Sequence, residues 1–258
     1  MPAFFVSSSD IHGTEITLTG DLYHHLRASL RVKLGECLWL TDELRRRYRV
    51  RVSQLLQQAL TMEILEQRQG PVETGPPLLL AQALLKGDQM DWVVQKGSEL
   101  GVRTILPLVS RHSVVRPQPG RIAAQVARWQ RIATEAAQQS EQWRPPEVLE
   151  PLESGRFFST HTATCSLLLA ERRKGVGLSE VSLPSLSTEH LALIIGPEGG
   201  WAEEEVSLAL RHHCHAVSLG ECILRADTAA VTALSIVQSR LGRLGRADAI
   251  ETRTLPAS

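Results

Sequence analysis

From Leu78 onward the chain alternates strand-length apolar runs with helical stretches, a pattern that restricts this region to an α/β fold with a largely parallel sheet. The apolar runs read as Leu78 to Leu85, Thr104 to Leu108, Ser166 to Leu169, Leu191 to Ile195 and Ala216 to Leu219. Helical periodicity fills the gaps at Met90 to Leu100, Arg121 to Gln139, Glu203 to His212 and Thr228 to Leu241. In this periodicity Trp92 and Trp129 sit on apolar helical faces and are expected as core or interface anchors. Upstream, Glu15 to Leu18, Cys37 to Leu40 and Tyr48 to Val52 read as short β segments, interrupted by one helical turn that Asp21 is placed to cap. Between the two regions, Gly70 to Pro77 holds two glycines and three prolines in eight residues, which marks a linker. The sequence therefore predicts a small β unit over 1–72, an α/β unit over 73–245 and a loose aperiodic tail over 246–258.

Lys plus Arg equals Asp plus Glu at 28 each, so no whole-protein field draws the molecule to a polyanion, and any such contact must be local. The longest apolar runs are too short to span a bilayer and no apolar signal core opens the chain, so a cytoplasmic location without a membrane is expected. The cysteines Cys37, Cys165, Cys214 and Cys222 form no CxxC pair, and His212-His213-Cys214-His215 lacks the spacing of a helical zinc pair, so no metal is expected.

In an open α/β sheet ligands gather at the carboxyl ends of the strands. Two loops stand there. Gly196-Pro197-Glu198-Gly199-Gly200 follows one strand and leads into a helix with Glu203, Glu204 and Glu205 in its first turn. Its glycines let a ligand approach bare backbone, and the glutamates offset the positive helix end, which disfavours phosphate. On spacing alone the loop is equally a tight strand-to-helix turn. The second loop, Leu219 to Thr228, offers Gly220, carries Arg225 in an apolar setting, and ends where Asp227 or Thr228 can cap a small-residue helix.

The segments LIIGPEGGWAEEEV and SLGECILRADTAAVTAL strongly resemble the RsmE-type 16S ribosomal RNA methyltransferases of the SPOUT class, and further matching blocks run upstream through Gln95 to Val102, Lys86 to Trp92 and His24 to Arg31. The resemblance implies a C-terminal trefoil-knotted parallel sheet, a small N-terminal PUA-like β-barrel, S-adenosylmethionine as cofactor, methylation of a uridine N3 in 16S ribosomal RNA or the assembled small subunit, and a homodimer through the knot region. It assigns cofactor contacts to Leu169, Ile195, Gly196, Pro197, Glu198, Gly199, Gly200, Leu219, Gly220, Ile223, Leu224, Arg225 and Thr228. Arg225 is expected to stabilise a uracil oxyanion, with Glu198 or Asp227 as proton acceptor or orienting group. The basic cluster Arg27, Arg31, Arg45, Arg46, Arg47 and Arg49, with His25, Lys86 and Lys96, is expected to face RNA, although a charge run alone reads better as a solvated hairpin. Two departures adjoin the second loop: Glu221-Cys222 replaces the family's Pro-Arg, and Asp227 replaces its Glu. A catalytically silent RNA-binding relative would keep the basic cluster without binding the cofactor. A hydrolase or dehydrogenase lacks its signature here, since neither GxSxG nor GxGxxG is present in these loops.

Overall fold

The computed structural model describes residues 3–170 and 176–245, so the stretch 246–258 lies outside the described residues. Two compact units result: residues up to 72 with 134–145, and 73–133 with the described residues from 146 onward.

The first unit contains β1 (Ala3–Phe5), β2 (Ile11–His12), β3 (Glu15–Leu18), α1 (Gly20–His24), β4 (Cys37–Thr41), β5 (Arg46–Leu55) and β6 (Leu60–Gln69). They form one sheet in the order β1-β4-β5-β6-β3-β2, antiparallel except for the β1–β4 pair. Along β5, Tyr48, Val50 and Val52 point into a core with Ile16, Leu18, Leu26, Leu40 and Met62, while Arg49 and Arg51 alternate outward. Register shifts at Arg49/Val50 and Val52/Gln54 bend the long β5–β6 ribbon. The sheet is strongly bent, and no hydrogen-bonded pair joins β1 to β2 among the described residues. Helix α1 starts after Thr19 rather than Asp21, which lies inside its first turn, and it runs into a π-turn at His25–Ser29.

A buried carboxylate organises the β4–β5 hairpin. Asp42 accepts from the Arg46 N–H at 2.8 Å, from Arg46 Nε at 2.7 Å and from the Tyr48 hydroxyl at 3.1 Å. Burial, followed by the bond to Asp42, pushes the Tyr48 phenol from the usual 10.0 up to about 12. Arg47 donates to the carbonyls of Glu141 and Gln142 at 3.1 and 3.0 Å and lies 4.0 Å over the Trp143 ring. These contacts explain why 134–145 groups with the first unit, although periodicity assigns it to the second; they span more than ninety residues of chain and leave no local pattern.

The second unit contains β7 (Leu78–Ala83), α2 (Gln89–Glu99), β8 (Thr104–Val109), α3 (Ile122–Gln139, of which residues up to 133 belong here), β9 (Glu147–Val148), β10 (Leu152–Glu153), α4 (Ser154–Thr160), β11 (Cys165–Leu169), β12 (Val176–Gly177), β13 (Leu191–Ile195), α5 (Glu203–Arg211), β14 (His215–Ser218) and α6 (Ala226–Arg240). The sheet is parallel throughout, ordered β10-β8-β7-β13-β11-β14-β12 with β9 also on β8. Every residue of β13 is buried because both faces are covered. Leu191, Leu193 and Ile195 pack with α2, α3 and α6, while Ala192 and Ile194 pack with α4 and α5. Trp129 is in the core, its Nε1 donating to Asp91 at 3.1 Å, whereas Trp92 is 40% exposed and is not part of the core. Strands β9, β10 and β12 are two residues each and α4 two turns, too short for periodicity to reveal.

Glu205, buried in the first turn of α5, ties three elements together. It accepts from the Arg111 N–H after β8 at 3.1 Å, the Ser154 hydroxyl opening α4 at 2.5 Å, and the Ala202 N–H preceding α5 at 3.0 Å.

Two outcomes follow from these buried groups. Replacing Glu205 by Ala leaves three donors without their acceptor and is expected to cost about 3 kcal/mol in denaturant unfolding, with Gln costing less. The Tyr48 phenol is raised in the folded state, so its contribution to stability is complete below pH 10 and is lost as pH rises toward 12. Tyrosinate absorbance should therefore show a late step that disappears in Tyr48→Phe.

Candidate functional site

The carboxyl ends of β7, β8, β11, β13 and β14 lie along one edge of the second sheet, as parallel pairing requires. There the main chain leaves the ladder and its polar groups need other partners.

The turn after β13 is fixed on all sides. The Gly200 N–H donates to Pro197 O at 2.9 Å, and Gly200 itself stands at φ +69°, where glycine is favoured. A Cβ on Gly196 would meet the Trp201 indole at 3.0 Å, and one on Gly199 would meet His112 Cβ at 3.1 Å. Trp201 Nε1 donates to Leu169 O at 3.1 Å, so the end of β11 is joined to this turn. His112 Nδ1, in its Nδ1–H tautomer, donates to Gly200 O at 3.1 Å. Glu198 is exposed, and its Oε1 accepts the Lys86 N–H at 3.0 Å. Glu204 pairs with Arg111 at 3.0 Å; main-chain hydrogen bonding, then Arg111, holds its carboxyl below the usual range.

The turn after β14 is looser. Ser218 Oγ accepts the Gly220 N–H at 3.1 Å, and Gly220 has φ +123°. Leu219 and Leu224 are half-buried against the core while Ile223 is 70% exposed. The main chain from Glu221 to Leu224 makes no hydrogen bond within the described residues. Helix α6 begins at Ala226 with Arg225 at the N-cap position, so neither Asp227 nor Thr228 caps it. Asp227 instead accepts from the Thr228 N–H at 2.8 Å and from Gln89 Nε2 at 3.4 Å. Thr228 is exposed, and the exposed Arg225 guanidinium has no hydrogen bond or ion pair among the described residues.

The two turns are consecutive in the chain but not in the sheet, where β11 separates β13 from β14. The β7–α2 turn connects them: its Lys86 N–H holds Glu198 and its Gln89 side chain reaches Asp227. Ile195 and Leu169 are buried at their strand ends. Burial pushes the Cys214 thiol, on the apolar α4/α5 side, up to about 11, so it is a neutral core filler.

Sequence reasoning did not find Gln82, Gln89, His112 or Trp201. Gln82 left a readable signal as the only polar residue in the run Leu78 to Leu85, whereas the others depend on long-range register.

The expected RNA-facing residues divide in use. Arg45 donates to Pro71 O, Arg46 to Asp42 and Arg47 to the Glu141 and Gln142 carbonyls, while Lys96 pairs with Glu99 at 2.8 Å. Arg27 contacts Leu56 O at 3.3 Å. Exposed His25 has its ring 6.2 Å from Phe4. Arg31, Arg49 and Lys86 have side chains with no partner among the described residues, and Arg31 and Lys86 are exposed.

Residues 73–238 match the model of the RNA methyltransferase domain. Ribosomal RNA small subunit methyltransferase E of Synechocystis sp. is 34% identical over 243 residues, covering 92% of this chain and 77% of that protein. The crystal structure of a ribosomal RNA small subunit methyltransferase E from Neisseria gonorrhoeae, bound to S-adenosyl methionine, is 30% identical with a TM-score of 0.82, covering 93% of this chain and 98% of that one. A Legionella pneumophila methyltransferase in complex with bound SAM superposes with a TM-score of 0.83 at 28% identity, again over 93% and 98% of the two chains. With the α/β unit inside that domain's model and these relatives aligned along most of both units, the chain belongs to the RNA methyltransferase family, beside the ribosomal RNA small subunit methyltransferases E.

Proposed function

We propose that this protein uses S-adenosylmethionine to methylate N3 of a uridine in 16S ribosomal RNA, free or within the small subunit. The reading rests on the pair of glycine-bearing turns at the ends of β13 and β14, one of which leaves its main chain from Glu221 to Leu224 unpaired among the described residues. The cofactor has an adenine, an amino-acid group and a sulfonium cation but no phosphate. Unpaired amides and carbonyls suit its adenine, Leu219, Ile223 and Leu224 offer apolar surface, and Glu198 and Asp227 supply negative charge near a cation. Acidic residues in the first turn of α5 oppose a phosphate there. The holding set is Leu169, Ile195, the Gly196 to Gly200 turn, Leu219, Gly220, Ile223, Leu224, Arg225 and Thr228. When bound, S-adenosylmethionine supplies an activated methyl group.

The chain's own groups do the rest. N3 of uridine carries a proton, and removing it places negative charge on the uracil oxygens. Arg225, with its guanidinium uncommitted, is positioned at the head of α6 to stabilise that charge. Of the two candidate carboxylates, Glu198 keeps one oxygen free and takes the role of proton acceptor. Both oxygens of Asp227 are engaged, which suits an orienting role. The target base must leave its stack to enter, and exposed Arg31 and Lys86, with Arg49, offer phosphate contacts that position the strand.

The SPOUT resemblance adds a knotted C-terminal segment and a dimer through it to this proposal. The position of β14 supports threading, because the last strand is inserted between β11 and β12 instead of joining an edge. No helix among the described residues is long and apolar enough to cross a membrane, in keeping with a cytoplasmic site of action.

Base-methylation mapping of 16S ribosomal RNA from cells with and without the protein should show one N3-methyluridine lost; an unchanged map overturns the reading. Arg225→Ala should lower the single-turnover methylation rate about a hundredfold even at saturating S-adenosylmethionine. Arg31→Ala and Arg49→Ala together should weaken RNA binding and flatten its dependence on log salt by about 0.7 to 0.9 per lost phosphate contact.

A further inference from the structure

Gln82 lies at the last register pair between β7 and β13, opposite Ile195. Beyond it the strands part. β7 continues along β8, with the Leu84 N–H donating to Leu108 O at 2.9 Å, while β13 turns into Gly196. The fully buried Gln82 carboxamide fills the fork, its Nε2 donating to Ala83 O at 2.9 Å and Gly196 O at 3.3 Å. Two carbonyls beside one amide atom identify that atom as the nitrogen, since an oxygen there would face two oxygens. The other end, Oε1, is buried with no partner.

A buried acceptor without a donor costs stability, and on this face, among Leu80, Leu84 and Ile195, a leucine or methionine would avoid that cost. The return is local. Because residue 197 is proline, the 196–197 peptide has no N–H, and the carbonyl held by Gln82 is its only polar group. Trp201 closes the opposite side, within 3.0 Å of where a Gly196 Cβ would lie, and is itself fastened to Leu169 O. Gly196 is thus set between a side-chain amide and an indole, each from a different element.

We infer that Gln82 is a positioning residue for the glycine turn, holding the Gly196 carbonyl in the orientation that the methyl-donor site requires. The inference rests on the proposed use of S-adenosylmethionine and adds a residue that acts through Gly196 instead of touching the ligand. Its signature is a separation of folding from binding.

The test compares the wild-type full chain with Gln82→Met, of similar length and without polar atoms, and Gln82→Asn, whose amide falls one methylene short. Thermal unfolding and calorimetric titration with S-adenosylmethionine are measured on each. Gln82→Met should unfold at the wild-type temperature or above it and bind about tenfold more weakly; Gln82→Asn should also lose affinity, because its nitrogen no longer reaches Gly196 O. Wild-type affinity in Gln82→Met would overturn the inference, as would affinity falling only in step with unfolding temperature in both variants. Absence of binding by the wild-type chain would instead sink the proposed cofactor.

Discussion

Main-chain polar groups cannot be left unpaired where parallel ladders end, and the carboxyl edge of the second sheet is built around that constraint. The ends of β8, β11 and β13 and the turns they lead into are finished by side chains from elsewhere in the chain. Gln82 serves Gly196 O, Trp201 serves Leu169 O, His112 serves Gly200 O, and Glu205 gathers the N–H groups of Arg111 and Ala202. The turn after β13 is rigid because so many of its groups are claimed. The stretch from Glu221 to Leu224 is the exception, and its unclaimed groups are those proposed to meet the cofactor.

The strands and helices that carry this edge were legible because each is a run of four or more residues with its own apolar pattern, as with Leu191–Ile195 and Ala226–Arg240. The glycine turns were legible as well, since their composition has a local physical meaning. The finishing side chains were not. A histidine after β8 and a tryptophan before α5 have no sequence pattern linking them to the carbonyls they serve, because sheet order brings those partners together across 88 and 32 residues. Helix starts failed for a related reason: Asp21 and Asp227 are good capping residues by type, but the chain enters each helix two residues earlier than they require.

The arginine cluster shows how a charge run divides once it is folded. Read as a run, Arg45-Arg46-Arg47 looks like a surface offered to phosphate. Folded, the three are directed to Pro71 O, Asp42 and the Glu141 and Gln142 carbonyls, with Arg47 also stacked on Trp143. A guanidinium presents donors in a planar fork, so it satisfies carbonyls inside a unit as readily as it binds an anion outside. Exposed cationic side chains without a partner among the described residues stand instead at scattered positions such as Arg31 and Lys86, which a count along the sequence would rank lower.

The interior place of β14 also dictates an order of assembly. During synthesis β7, β8, β11 and β13 emerge first, and β11 must wait with one hydrogen-bonding edge open until the last forty-odd residues appear. Both the neighbour that seals that edge and the turn that follows it arrive together, late, so a nascent or truncated chain exposes a sticky strand and lacks the second glycine turn. Quality control thereby acquires a simple criterion: a molecule that has hidden β11 has also set that turn in place.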